Sequence, residues 1–152
     1  MIRIVGFLMV LITMSWSMTI YDGIQGQDVV NVLHKLGYSA RLTTDSGGDP
    51  KVITKMEGVT NYIYFYACHG SKGNKTCKSI EFYVPFATPL SAQKASKWNA
   101  TRRFSDSYTA KDGHARLEGD IETAGGITQA NLVHMIGLWD DNLSAFLKFI
   151  NW

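Results

Sequence analysis

Cysteine is scarce in this chain of 152 residues, which contains only Cys68 and Cys77. Structural zinc sites usually need about four ligands, with paired cysteines roughly two to four residues apart, whereas eight residues separate this pair. A thiol oxidoreductase would favour a Cys-x-x-Cys motif at the start of a helix, and this spacing does not match it. We therefore expect a disulfide between two consecutive predicted strands. Two buried free thiols are the alternative if the chain stays in a reducing compartment.

Charge is also sparse, at 18% of the residues, and the net charge is only +2. Proteins that bind nucleic acid usually present a dense basic face, so this composition argues against such a partner. Hydrophobic residues make up 45% of the chain, which indicates a folded protein and not a disordered one. The length predicts one domain, and no internal repeat or linker divides it.

The first 17 residues have the pattern of a secretory signal peptide. Arg3 is followed by an apolar run from Ile4 to about Met14 and then by small residues at Ser15 and Ser17. We expect cleavage near Ser17 and a periplasmic or secreted protein. An uncleaved membrane anchor is the main alternative, because the stretch between Arg3 and Asp22 carries no charge and reaches the lower limit of a spanning helix.

The remaining sequence predicts the order α-β-β-β-β-α-β-β-α, and therefore an α+β fold in which helices pack on an antiparallel sheet. The first predicted helix, QGQDVVNVLHKLG, ends at Gly37, and the second, LSAQKASKWNATRRF, begins after Ser91. The third begins after Thr128 and runs to about Ile150, with an apolar stripe at helical spacing. The predicted strands are YSARLTT, KVITKMEG, TNYIYFYAC, CKSIEFYVPF and the two arms of SDSYTAKDGHARLEGDIE. The segment HGSKGNKT is expected to be a polar loop, and Pro85 to mark the end of the fourth strand.

No set of residues in the sequence predicts a catalytic site. The four histidines are scattered, and a triad cannot be inferred from spacing alone. Asp45 and Asp49 bracket the turn DSGGDP, where calcium binding is one possibility and a turn held by the side chain of an aspartate is the one we favour. Trp98 is expected to anchor the second helix, with a ligand-binding role as the alternative. For Arg103, we prefer a solvated side chain or an internal ion pair over anion recognition.

The ordered segments of the chain resemble the YbjN family of bacterial sensory transduction regulators. The segments that carry the resemblance are LGYSARLTTDSGGDPKV, GVTNYIYFYACHG, CKSIEFYVPF, WNATRRF, LEGDIETAGGIT and LWDDNLSAFLKFI. We place the YbjN-like domain at residues 25–151. The resemblance implies an α+β fold similar to that of type III secretion chaperones, which bind segments of partner proteins. It implies no catalytic residue and no cofactor.

The functional hypothesis from the sequence is a non-enzymatic exported module that binds a protein or peptide through a sheet face or a strand edge. An envelope structural protein anchored by its N-terminal helix and an uncharacterised periplasmic enzyme are the alternatives. The candidate partner-binding residues are Tyr62, Tyr64, Tyr66, Tyr83, Trp98 and Arg103. The tyrosines could instead pack beneath the helices.

Overall fold

A computed structural model describes residues 20–152, so the predicted signal segment, residues 1–17, lies outside the described residues. The main element is a six-stranded antiparallel sheet with strand order β3-β4-β5-β8-β10-β9. Its strands are β3 (Ala40–Thr44), β4 (Pro50–Met56), β5 (Val59–Tyr66), β8 (Ser79–Pro89), β9 (Asp106–Thr109) and β10 (His114–Glu122). The helices are α1 (Gly26–Lys35), α2 (Ala92–Thr101) and α3 (Gln129–Ile150). This confirms the predicted α+β class and the antiparallel sheet.

Local sequence signals set most of the helix ends. Gly37 follows α1 with a φ of +89°, a left-handed conformation that glycine adopts without steric cost. The Ser91 side chain accepts a hydrogen bond from the backbone N–H of Lys94 at 3.2 Å, and the Thr128 side chain accepts one from Asn131 at 3.1 Å. Both residues therefore cap their helices as predicted. The second helix stops at Thr101, earlier than the sequence pattern suggested.

Two small sheets flank the main one. The first pairs β1 (Ile20–Tyr21) with β11 (Ile127–Thr128). The second has the order β2-β7-β6, from Ile24–Gln25, Asn74–Cys77 and His69–Ser71. The segment HGSKGNKT was predicted to be a loop, and this was wrong: most of it forms the hairpin β6–β7. Pairing of β2 with β7 supplies the third strand that stabilises this short hairpin.

The expectation that Pro85 ends the fourth strand was also wrong, because β8 continues to Pro89. Beyond Tyr83, β8 still pairs with β10, but it no longer pairs with β5. The register of β8 with β10 shifts between Arg116 and His114, next to Pro85, and proline is tolerated at such irregular points of a strand.

The three helices pack against one face of the main sheet. Trp139 of α3 lies on Phe82 of β8 with ring centroids 5.3 Å apart, and its Nε1 donates to Oδ1 of the buried Asn61 at 2.8 Å. Deeper along α3, Phe146 contacts Phe86 of β8 and Trp98 of α2. No helix within residues 20–152 is long and apolar enough to cross a membrane.

The opposite face of the main sheet therefore carries the alternate residues of each strand. In β5, Asn61, Ile63 and Phe65 are buried on the helix side, so Tyr62 and Tyr64 point the other way. The same alternation in β8 and β10 turns Glu81, Tyr83, Glu118 and Asp120 to that side. We call this surface the open face.

Candidate binding face

Tyrosines occupy the centre of the open face, on the neighbouring strands β5 and β8. Tyr62 lies directly across from Tyr83, and the ring of Tyr64 contacts both Tyr62 and Tyr83, with centroid distances of 6.4 and 6.0 Å. Tyr66 is the next residue after Tyr64 on this face of β5, and it is 46% exposed. The alternative in which these tyrosines pack beneath the helices does not apply, because they lie on the other side of the sheet. Large amphipathic rings at a surface are common in protein-binding sites.

Basic residues line one side of the tyrosines. We call Arg41 of β3 and Lys51 and Lys55 of β4 the basic column; their neighbours across the strands are Ile53, Tyr64 and Thr60. The Lys51 ammonium lies 4.5 Å from the ring centroid of Tyr62 and 4.6 Å from that of Tyr64. These rings therefore already bind a cation of the same chain.

Carboxylates line the other side. We call Asp106 of β9 with Glu118 and Asp120 of β10 the acidic column. Burial raises the pKa of Glu118 above its ordinary value, and the negative charges of Glu81, Asp120 and Asp106 add to this effect. Burial also raises the pKa of Asp120, with a further contribution from Asp106. These shifts indicate partly buried carboxylates that lie close to other negative charges.

Tyr66 and Glu81 connect the tyrosines to the acidic side. The Tyr66 hydroxyl donates a hydrogen bond to Oε2 of Glu81. Burial and this carboxylate raise the pKa of Tyr66 above its ordinary value, so the phenol remains a neutral donor. Within residues 20–152, no ion pair joins a residue of the basic column to Glu81 or to a residue of the acidic column.

The structure places Trp98 away from the open face and Arg103 on the connection between α2 and β9. Trp98 is only 1% exposed and packs among aromatic rings on the helix side of the sheet, so its ring belongs to the core in this structure. Arg103 is exposed, and its guanidinium lies 5.0 Å from the ring centroid of Phe104. Asn99 anchors the end of α2: its amide donates to the Ser107 carbonyl and accepts from the Ser107 N–H, at 3.1 and 2.8 Å.

The disulfide and the turn DSGGDP define a second feature, at the end of the sheet. Cys68 and Cys77 are joined by a disulfide at the base of the β6–β7 hairpin. Asp45 Oδ1 accepts from the N–H groups of Gly47 and Asp49 at 2.8 and 2.9 Å, which is the aspartate turn that the sequence predicted. Asp49 in turn binds Nζ of Lys75, in the hairpin, at 2.7 Å.

A cleft of about 260 Å³ lies between this hairpin, the turn and the start of α1. Leu42 and Pro50 form its apolar wall, and Thr43 and Asn74 supply polar groups. Lys75 is the one charged residue among the described residues that line it, and Asp49 already neutralises that charge. Within residues 20–152 no group of histidine, cysteine, aspartate and glutamate side chains could hold a metal ion.

Sequence reasoning found the tyrosines but missed the charged columns. Arg41, Lys51 and the pair Glu118 and Asp120 come from three separate strands, and their alignment depends on the pairing of strands far apart in the chain. Alternation in each strand could have assigned them to one face of that strand. It could not show which residues share a row.

Fold and surface together define an α+β protein with helices on one face of its main sheet and a tyrosine-rich face on the other. Residues 27–152 match the YbjN family, described as "Putative bacterial sensory transduction regulator". The chain belongs to this family, as its sequence resemblance indicated. The family description names a regulator and no enzymatic reaction. No curated protein matches the chain significantly.

Proposed function

We propose that this protein is an exported, non-enzymatic regulator that acts by binding another protein surface or segment on its open face. The observation that carries the proposal is the open face itself, on which four tyrosines lie between the basic column and the acidic column. Such a surface offers aromatic contact area at low entropic cost and charges for orienting a partner. The family description supports a regulatory role.

Export is supported by the signal-like pattern of the first 17 residues and by the disulfide, since disulfides persist in oxidising compartments. N-terminal sequencing of the protein recovered from cells should begin near residue 18. A chain that begins at Met1 would instead favour the envelope structural protein held by an uncleaved anchor. Alkylation of unreduced protein should label neither cysteine, and two labelled thiols would contradict export.

Partner binding is tested by site-specific photo-crosslinking in intact cells. A crosslinking amino acid in place of Tyr64, at the centre of the open face, should give a discrete adduct that mass spectrometry can identify. The matched control replaces Lys97, which is exposed on α2 on the helix side of the sheet. Equal adduct patterns at the two positions, or none at Tyr64, would refute binding on this face.

A further inference from the structure

The two halves of the open face carry opposite charge. The basic column lies on β3 and β4, and the acidic column lies on β10 and β9. Three strands lie on each side of the boundary between β5 and β8, so the charge changes sign across the midline of the sheet. The tyrosines occupy this midline.

Strand register also places opposite charges in the same cross-strand rows. One row runs from Lys51 through Tyr64 and Glu81 to Asp120. The next runs from Arg41 through Ile53, Tyr62, Tyr83 and Glu118 to Asp106. Each row thus carries a cation on the β3–β4 side and ends with a carboxylate.

A second copy of this chain complements such a face. Rotation by 180° about an axis that lies along the strands at the midline places β4 over β10 and β3 over β9, and it keeps each row opposite itself. Lys51 of one copy then faces Asp120 of the other, Arg41 faces Asp106, and Tyr62 faces Tyr83. Each contact occurs twice, as in any two-fold symmetric interface.

The charges also exclude a face-to-face dimer whose two-fold axis runs across the strands. Rotation about an axis across the strands would place the basic column over its own copy and the acidic column over its own copy, so that like charges meet. With the axis along the strands, like charges still face each other at Lys55 and Arg116. Arg116 already binds Asp112 at 2.7 Å, which neutralises part of that repulsion.

The face has the size of a small specific interface. Six strands about 4.8 Å apart span roughly 25 Å, and six residues along a strand span roughly 20 Å. Two such faces bury on the order of 1,000 Å² together, the lower limit for a specific protein–protein contact. An interface of this size predicts a weak dimer whose population depends on protein concentration.

We infer that the open face binds the open face of a second copy of this chain, about an axis parallel to the strands between β5 and β8. This inference rests on the proposed function, because it identifies the protein that the face binds. The second copy supplies cations to the carboxylates of the acidic column, which have no ion pair within residues 20–152, and covers the partly exposed tyrosine rings.

Sedimentation of the protein as recovered from cells, with charge-reversal variants, tests the inference. The wild-type chain should pass from monomer to dimer as its concentration rises, and added salt should shift it toward monomer. Lys51→Glu and Asp120→Lys should each weaken the dimer at least tenfold, since each turns two attractive contacts into two repulsive ones. Lys97→Glu, which makes the same change in net charge as Lys51→Glu but away from the face, should leave the dimer unchanged.

Mixing the two charge-reversal chains provides the decisive measurement. In a mixed dimer the carboxylate introduced at position 51 faces the ammonium introduced at position 120, and the remaining native Lys51 faces the remaining native Asp120. Two chains that fail to associate alone should therefore form a dimer together. Circular dichroism of each variant verifies its fold before mixing.

A monomer at every concentration, a dimer that neither substitution weakens, or a mixture that stays monomeric would overturn the inference. The crosslinking experiment at Tyr64 separates this failure from that of the proposed function. An adduct of twice the chain mass supports both. A different protein captured at Tyr64 by a chain that remains monomeric would refute self-association and leave partner binding standing.

Discussion

Loss of the Cys68–Cys77 disulfide should lower the free energy of unfolding by about 2.5–3 kcal/mol, because the bond closes a loop of ten residues in the unfolded chain. The folded state should change little. The hairpin β6–β7 keeps its pairing of Cys77 with Ile24, and Lys75 keeps its ion pair with Asp49. The loss therefore comes from the greater freedom of the unfolded chain.

Urea unfolding of the oxidised and the reduced wild-type protein measures this difference without a change in side-chain volume. The variant Cys68→Ala/Cys77→Ala serves as a control, since added reductant should not alter its stability. It should be somewhat less stable than the reduced wild type, because Cys77 is fully buried and alanine leaves a small cavity. Equal stabilities of the oxidised and reduced wild type, within the extrapolation error, would refute the reasoning.

Two further predictions concern stability. Gly119→Ala should destabilise the protein by about 1–3 kcal/mol, because a Cβ would lie 2.8 Å from the Phe104 carbonyl oxygen and 3.2 Å from the Trp139 ring. Gly137→Ala, in an open position of α3, should stabilise it by about 0.5–1 kcal/mol, and thermal unfolding of the pair tests both signs. Glu118→Gln should raise the free energy of unfolding at pH 7 but not at pH 4. The pKa of Glu118 is raised in the folded state, so the wild-type protein loses stability as the pH rises from the ordinary glutamate pKa toward this raised pKa. Asp112→Asn should lower stability at both pH 7 and pH 4, because the folded pKa of Asp112 is lowered to about 2 and its stabilisation is lost only as the pH falls toward that value. Urea unfolding of dilute protein at pH 7, 4 and 2 measures both changes.

Elements set by local chemistry could be predicted from the sequence. Ser91 and Thr128 cap their helices because a hydroxyl can accept from a free N–H two or three residues ahead. The Asp112-Gly113 turn joins β9 to β10 because the aspartate accepts from the His114 N–H and the glycine takes a φ of +80°. These signals lie within a few residues of the structure that they determine.

Elements set by distant pairing could not be predicted. The strand β2 contains two residues, too few for a periodic signal, yet it stabilises a hairpin some 50 residues later in the chain. The charged columns have the same origin. Lys51 and Asp120 share a row only because β5 and β8 bring them into register.

The outward direction of the tyrosines depends on a buried hydrogen bond. Both sets of alternating residues in β5 contain large side chains, so hydrophobicity alone does not decide which set faces the helices. Trp139 needs an acceptor for its indole N–H, and Asn61 supplies one on the helix side. A slip of β5 by one residue would remove this acceptor and bury the hydroxyl groups of Tyr62, Tyr64 and Tyr66, each of which would then need a partner inside the protein. The hydrogen bond between Asn61 and Trp139 thus favours the register that presents the tyrosines on the open face.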